Sequence, residues 1–145
     1  MEKHKVLLIG SGGRESALAW KIAQSPRLQE LYIAPGNAGT EQYGTNIAIR
    51  ATEIEKLCDF AITENITFVL VGPDDPLALG IVDAFRALHI PVFGPTQAAA
   101  QLEWSKAYAK EIMTDAHVPT AAYATCTSFE DALTYSKTQS LPLVI

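Results

Sequence analysis

Up to Pro95, nearly every short apolar run in this chain stops on glycine or proline, and the stretches between the runs have helical periodicity. Lys5 to Ile9 runs into Gly10-Ser11-Gly12-Gly13, and Leu31 to Ala34 into Pro35-Gly36-Asn37. Thr67 to Val71 ends on Gly72-Pro73, and Pro91 to Phe93 on Gly94-Pro95. Strands alternating with helices in this way predict βαβ units, hence an α/β fold whose mostly parallel sheet carries helices on both faces. Ligands in such sheets lie in the crevice beyond the carboxyl ends of the strands. That is where this chain has put its glycines.

The intervening segments read as follows. Arg14 to Gln24 is a helix with Leu18 and Ile22 on one face, closed by Pro26. Asn46 to Ile49 is a short strand. Thr52 with Glu55 forms a capping box for a helix whose stripe is Ile54, Leu57, Cys58, Ala61 and Ile62. Asp75 and Pro76 supply N-cap and first residue for a helix through Leu88. After Pro95 the texture changes. Thr96 caps a helix, Ser105 to Ala116 continues in helical period, Ala121 to Cys126 reads as a strand, and Ser128 with Asp131 caps a short helix. Leu141 to Ile145 reads as a strand in which the sequence stops. The expectation is a complete unit over residues 1–96 and a truncated second one over 97–145.

Composition narrows the function classes. With 48% hydrophobic residues the chain can bury a core. A net charge of −5 without a Lys/Arg cluster argues against nucleic acid, and no apolar run is long enough to span a bilayer. Nothing at Met1 to Lys5 reads as a secretory signal, and Cys58 and Cys126 lack metal-ligand or redox spacing, so a cytoplasmic protein without a metal site is expected. His4, His89 and His117 are widely spaced and read as surface residues.

Four constellations carry candidate chemistry. In Gly10-Ser11-Gly12-Gly13-Arg14-Glu15 a glycine turn opens a helix, so backbone N–H groups and Arg14 converge on one place. This suits a phosphate or carboxylate, or is simply a tight turn. The dinucleotide fingerprint G-x-G-x-x-G would need glycine where Glu15 stands, and an acidic residue after the second strand, where Ala34-Pro35-Gly36-Asn37 stands. A nicotinamide-dependent oxidoreductase is disfavoured on both counts. In the second constellation Asn37, Gly39 and Thr40 offer polar groups and close backbone approach, or form an ordinary surface turn. In the third, Gly72-Pro73-Asp74, Asp75 has a capping duty and Asp74 has none. The fourth is Lys106 after Glu103-Trp104-Ser105, by itself a solvated helical charge.

Together these segments resemble the phosphoribosylamine–glycine ligase (glycinamide ribonucleotide synthetase) family. The resemblance runs from Val6 through Glu15, over Ala17 to Trp20 and Ala34 to Thr40, and through Val71-Gly72-Pro73, Pro76-Leu77 and Gly80 to Asp83. It continues through Phe93 to Thr96, Ala98 to Glu103, Ser105-Lys106 and Pro119 to Ala121. It implies a Rossmann-like pre-ATP-grasp domain followed by the beginning of an ATP-grasp domain. It also implies an ATP-dependent carbon–nitrogen ligase of purine biosynthesis, using ATP with magnesium or manganese to join glycine to phosphoribosylamine through a glycyl phosphate.

By the same resemblance Gly10, Ser11, Gly12, Gly13, Arg14 and Glu15, with Asn37, Gly39, Thr40, Gly72, Pro73 and Asp74, border the phosphoribosylamine site. Lys106 reaches ATP phosphates, and the catalytic and metal-binding residues lie in the part of the family that this sequence lacks. The chain alone is therefore expected to be inactive. Three departures stand out: Ser16 replaces the family's histidine, Asp74 its glutamate, and Trp104 a small residue. The alternative is a non-catalytic phosphosugar- or nucleotide-binding module.

Overall fold

Lys3 to Val144 are described by a computed structural model, and its centre is a strand buried on both sides. This is β1 (His4–Gly10), whose Val6, Leu7, Leu8 and Ile9 are all buried, as a central parallel strand requires. Leu7 and Ile9 face one apolar layer, whereas Val6 and Leu8 face another, the period-2 alternation of a strand. Around it lie β2 (Leu28–Pro35), β3 (Thr45–Asn46), β4 (Phe68–Val71) and β5 (Val92–Phe93). All pairings are parallel, in the order β3-β2-β1-β4-β5.

Helix α1 (Gly13–Ile22) covers the Val6 and Leu8 face through Ala19, Leu18 and Ile22. The opposite face is covered by α2 (Ile54–Thr63), through Leu57 and Ala61, by α3 (Asp74–Ala78) and by α4 (Ile81–Ala87), through Ile81, Val82 and Phe85. Tyr32 of β2 and Phe60 of α2 meet edge to face, with ring centroids 5.3 Å apart. The parallel α/β sheet with helices on both faces is thus as the alternation of the sequence predicts.

Several local expectations are corrected. The N-cap of α2 is Glu53, not Thr52; the Glu53 carboxylate accepts from the Arg50 N–H at 2.9 Å and so takes the place expected of a Thr52–Glu55 box. Ile62 is exposed rather than part of the buried stripe. The helix expected from Asp75 to Leu88 is two helices, broken at Gly80, whose φ of +85° is left-handed. Asp75 sits in the first turn of α3 while Pro73 holds the N-cap position. His89 and His117 follow the C-caps of their helices at φ +57° and +54°, so their positions at element ends are terminators of those helices.

The chain forms two compact units, Met1–Trp104 and Ser105–Ile145. The first extends past the expected boundary at residue 96 because α5 (Gln97–Trp104) is tied into it. Asp83 Oδ2 accepts from the Gln97 N–H at 2.7 Å, Gln97 Nε2 donates to the Ala78 carbonyl at 2.8 Å, and Ala100 is buried. Thr96 caps this helix as expected, accepting from the Ala99 N–H.

In the second unit, Ser105 caps α6 (Lys106–Asp115) and Ser128 caps α7 (Phe129–Ser136), accepting from the Tyr108 and Asp131 N–H groups. Residues Ala121 to Cys126 form no strand, and neither do Leu141 to Val144; Ile145 lies outside the described residues. A strand needs a neighbour to complete its hydrogen bonds. Residues 120–121 are instead held by Lys110 Nζ, which donates to Thr120 Oγ1 (2.6 Å) and the Ala121 carbonyl (3.1 Å).

No helix among the described residues is long and apolar enough to cross a membrane. Cys58 is half-buried on α2, and burial, reinforced by the Asp59 charge, pushes its thiol up; Cys126 is exposed. Iodoacetamide at neutral pH is therefore expected to label Cys126 well before Cys58, because the thiolate is the reactive form. Equal rates by mass spectrometry would contradict the packing of α2.

Candidate functional site

The strand order reverses direction at β1: the chain passes from β1 to β2 on one side and later returns to β4 on the other. The crevice between the carboxyl ends of β1 and β4 is the switch point at which α/β sheets bind ligands. Gly10 closes β1, and Gly72, just after β4, donates its N–H to the Ile9 carbonyl at 3.0 Å. Glu15, from the first turn of α1, lies between them and is 2% exposed. Its Oε2 accepts from the Gly12 N–H at 2.6 Å, and its Oε1 accepts from Arg14 Nε at 2.9 Å.

That carboxylate explains the glycines. A Cβ on Gly10 would stand 2.6 Å from both Cγ and Cδ of Glu15, one on Gly12 3.0 Å from Oε2, and one on Gly72 would strike Oε1. Over Gly13 the space is open, with nothing within 4 Å of a Cβ. Of the backbone N–H groups expected to converge here, that of Gly12 is taken by Glu15 in the reach-back half of a capping box. Ser11, Gly12, Gly13 and Arg14 are exposed at the rim, and the Arg14 side chain is 58% exposed.

The second loop is a brace. Asn37 Nδ2 donates to the Ser11 carbonyl (2.8 Å) and the Gly12 carbonyl (3.2 Å). Its Oδ1 accepts from Ser16 Oγ (3.0 Å), the Gly39 N–H (2.7 Å) and the Thr40 N–H (3.1 Å). Gly36, left-handed at φ +72°, donates its N–H to the Gly10 carbonyl at 3.1 Å. Thr40 is fully buried; its Oγ1 accepts from the Asn37 N–H (2.8 Å) and lies 2.7 Å from Asn46 Oδ1.

The polar groups of Asn37, Gly39 and Thr40 offered for a ligand in the sequence are therefore turned inward, and these residues hold the glycine loop in place. Ser16 and Asn46 complete the brace. The signal for Asn46 was present as an asparagine inside a strand, where that residue is depleted. The Ser16 hydroxyl, whose polar role the sequence left in question, donates to Asn37 Oδ1.

Pro73 and Asp74 follow Gly72 into the first turn of α3, with Asp74 exposed. The three constellations Gly10–Glu15, Asn37–Thr40 and Gly72–Asp74 thus all belong to the first unit, at one end of its sheet. Lys106 is exposed at the first position of α6 in the second unit. Among the described residues no three His, Cys, Asp or Glu side chains gather as a metal site. A cavity of about 130 Å³ lies at the opposite, amino end of the sheet, between His4, Arg27, Leu28 and Phe68.

Comparison with known proteins decides the family. Residues 4–103 match the model of the phosphoribosylglycinamide synthetase N domain. The chain belongs to that family. Among curated relatives, phosphoribosylamine–glycine ligase of Vibrio cholerae is 52% identical over 143 residues, and that of Pasteurella multocida 51% over 142. Each alignment takes in 97% of this chain and 33% of the relative. The chain therefore spans about a third of the length of the relatives it matches.

Among solved structures, phosphoribosylamine–glycine ligase of Thermotoga maritima superposes with a TM-score of 0.70 at 31% identity, covering 94% of this chain and 31% of that one. The biotin carboxylase domain of Hydrogenobacter thermophilus 2-oxoglutarate carboxylase, in complex with MgADP and bicarbonate, superposes with a TM-score of 0.72. At 18% identity, over 98% of this chain and 34% of that one, it shares the fold with this phosphoribosylglycinamide synthetase N domain.

Proposed function

We propose that this chain is the phosphoribosylamine-binding part of a phosphoribosylamine–glycine ligase of de novo purine biosynthesis, acting in the cytoplasm. The whole enzyme then joins glycine to 5-phosphoribosylamine at the expense of ATP. The γ-phosphoryl group passes to a glycine carboxylate oxygen, turning a poor leaving group into a good one. The ribosylamine nitrogen attacks the carbonyl carbon, the carbon–oxygen bond breaks, phosphate departs, and the nitrogen loses a proton. ATP and magnesium supply the phosphoryl transfer, which this reading assigns to residues beyond this chain apart from Lys106, placed on an ATP phosphate. Hard cations want several gathered carboxylate oxygens, and no such set is present among the described residues.

The task of this chain is to bind and orient the amine substrate, since orientation supplies a large share of such a barrier. The open space over Gly13, with the exposed Arg14 beside it at the start of α1, takes the 5-phosphate. Ser11 and Gly12 line the rim toward the ribose, Gly72, Pro73 and Asp74 border the far side, and Asn37, Gly39 and Thr40 act as the support beneath. The observation that carries this reading is the family match over 4–103 combined with a braced rim left open at Gly13 and Arg14.

Ribose 5-phosphate, a stable surrogate for the labile amine, is the probe. Calorimetry is expected to show saturable binding that weakens about tenfold in Arg14→Ala, the worth of a charge-assisted contact to phosphate. Binding that ignores Arg14→Ala, or no binding at millimolar probe, overturns the placement. The purified chain alone is expected to give no ATP- and glycine-dependent turnover; robust turnover would sink the assignment of chemistry to residues beyond it.

A further inference from the structure

We infer that Glu15 is the specificity-determining residue of the crevice: its buried carboxylate is an internal anion that closes the glycine loop to dinucleotides and other diphosphates. In a G-x-G-x-x-G turn the glycines allow a pyrophosphate to approach the backbone at the helix N-terminus, and the third glycine clears the way for close packing. Here Gly10 and Gly12 occupy the first two glycine positions and Glu15 the third. The clearance made by Gly10 and Gly12, and by Gly72 across the crevice, is filled by the Glu15 side chain itself. The Gly12 N–H, which would otherwise meet a phosphate oxygen, is already satisfied at 2.6 Å. No buried side-chain nitrogen or oxygen among the described residues is left without a partner, so the crevice is chemically complete at its floor.

Two effects then act together against a diphosphate. The carboxylate takes the volume, and its charge repels an anion brought within a few ångströms. Arg14 offsets part of that charge on the side of Oε1. What remains accessible is the outer rim over Gly13, open above a Cβ position and displaced from the floor. This inference holds whether or not the chain serves a ligase, because it concerns only what the loop refuses.

The test uses inorganic pyrophosphate as probe, with binding at the loop followed by amide shifts of Ser11 to Arg14 and the fold checked by circular dichroism. Wild type is expected to bind the probe only weakly, through one phosphate at the Gly13 and Arg14 rim, and without shifting the Gly12 amide. Glu15→Gly, which restores the dinucleotide pattern and empties the floor, is expected to bind at least about tenfold more tightly, the size of one unit charge acting through partly solvated space. Glu15→Gln keeps the volume and the bond from the Gly12 N–H but removes the charge, and is expected to gain about threefold. If Glu15→Gly does not fold, Glu15→Gln decides alone. A folded variant that gains nothing, or a wild type that binds pyrophosphate at this loop as tightly as the variants, overturns the inference.

Discussion

Gly10→Ala is expected to lower the stability of the first unit by about 3 kcal/mol, with a fall in melting temperature of roughly 14 °C. Two costs combine. At φ +130° an L side chain is strained on the backbone alone. The new methyl would also stand 2.6 Å from Cγ and Cδ of Glu15. Glu15 cannot step back, because the Gly12 N–H holds one oxygen and Gly72 borders the other. The collision share is separable. In a Glu15→Gly background the methyl has room, so Gly10→Ala there is expected to cost only its backbone strain, and the cycle should show a coupling of about 1–2 kcal/mol. Denaturant melts of the four proteins measure it. A cost that stays the same in both backgrounds would remove Glu15 from the explanation.

Asn37→Ala is expected to cost about 2 kcal/mol, and to weaken binding of ribose 5-phosphate although Asn37 need not touch it. The amide bridges two carbonyls of the glycine loop to the Gly39 and Thr40 N–H groups, and its loss leaves the Ser11 carbonyl and the Gly39 N–H seeking water, while the Gly12 carbonyl keeps the Ser16 N–H and the Thr40 N–H keeps the Asn37 carbonyl. Asn37→Asp is the informative companion. Its carboxylate keeps the acceptors for Gly39 and Thr40 but turns an oxygen toward the Ser11 and Gly12 carbonyls, so the loop is expected to loosen while the Asn37 turn itself survives. Hydrogen exchange reads the difference: the Ser11 to Gly13 amides should exchange faster in both variants, and the Gly39 amide faster only in alanine. Unchanged exchange at the glycine loop would show that Asn37 is not its brace.

The sheet was legible because its signals are local. Apolar runs ending on Gly10, Pro35, Gly72 and Gly94 announce parallel strands, and each lies within a few residues of its observed end. The break at Gly80 was equally written in the chain, as a glycine inside a helical pattern, and the expectation of one continuous helix passed over it. The floor of the site was not legible. The sequence reveals that Glu15 spoils a dinucleotide fingerprint; that the side chain folds back beneath Gly10 and faces Gly72 depends on β1 and β4 being neighbours. The inward turn of Asn37 likewise rests on partners some two dozen positions away, at Ser11 and Gly12. Ala121 to Cys126 failed for a related reason, since an apolar run becomes a strand only where a partner strand accepts it.

The brace also bears on how a ligand arrives. A glycine-rich loop left free would have to be ordered at the moment of binding, and that loss of conformational entropy would subtract from affinity. Here Asn37, Ser16 and the Gly36 N–H order the loop when the sheet folds. Association is then expected to proceed in one kinetic phase, its rate linear in ligand concentration, because the rim awaits its phosphate already in shape.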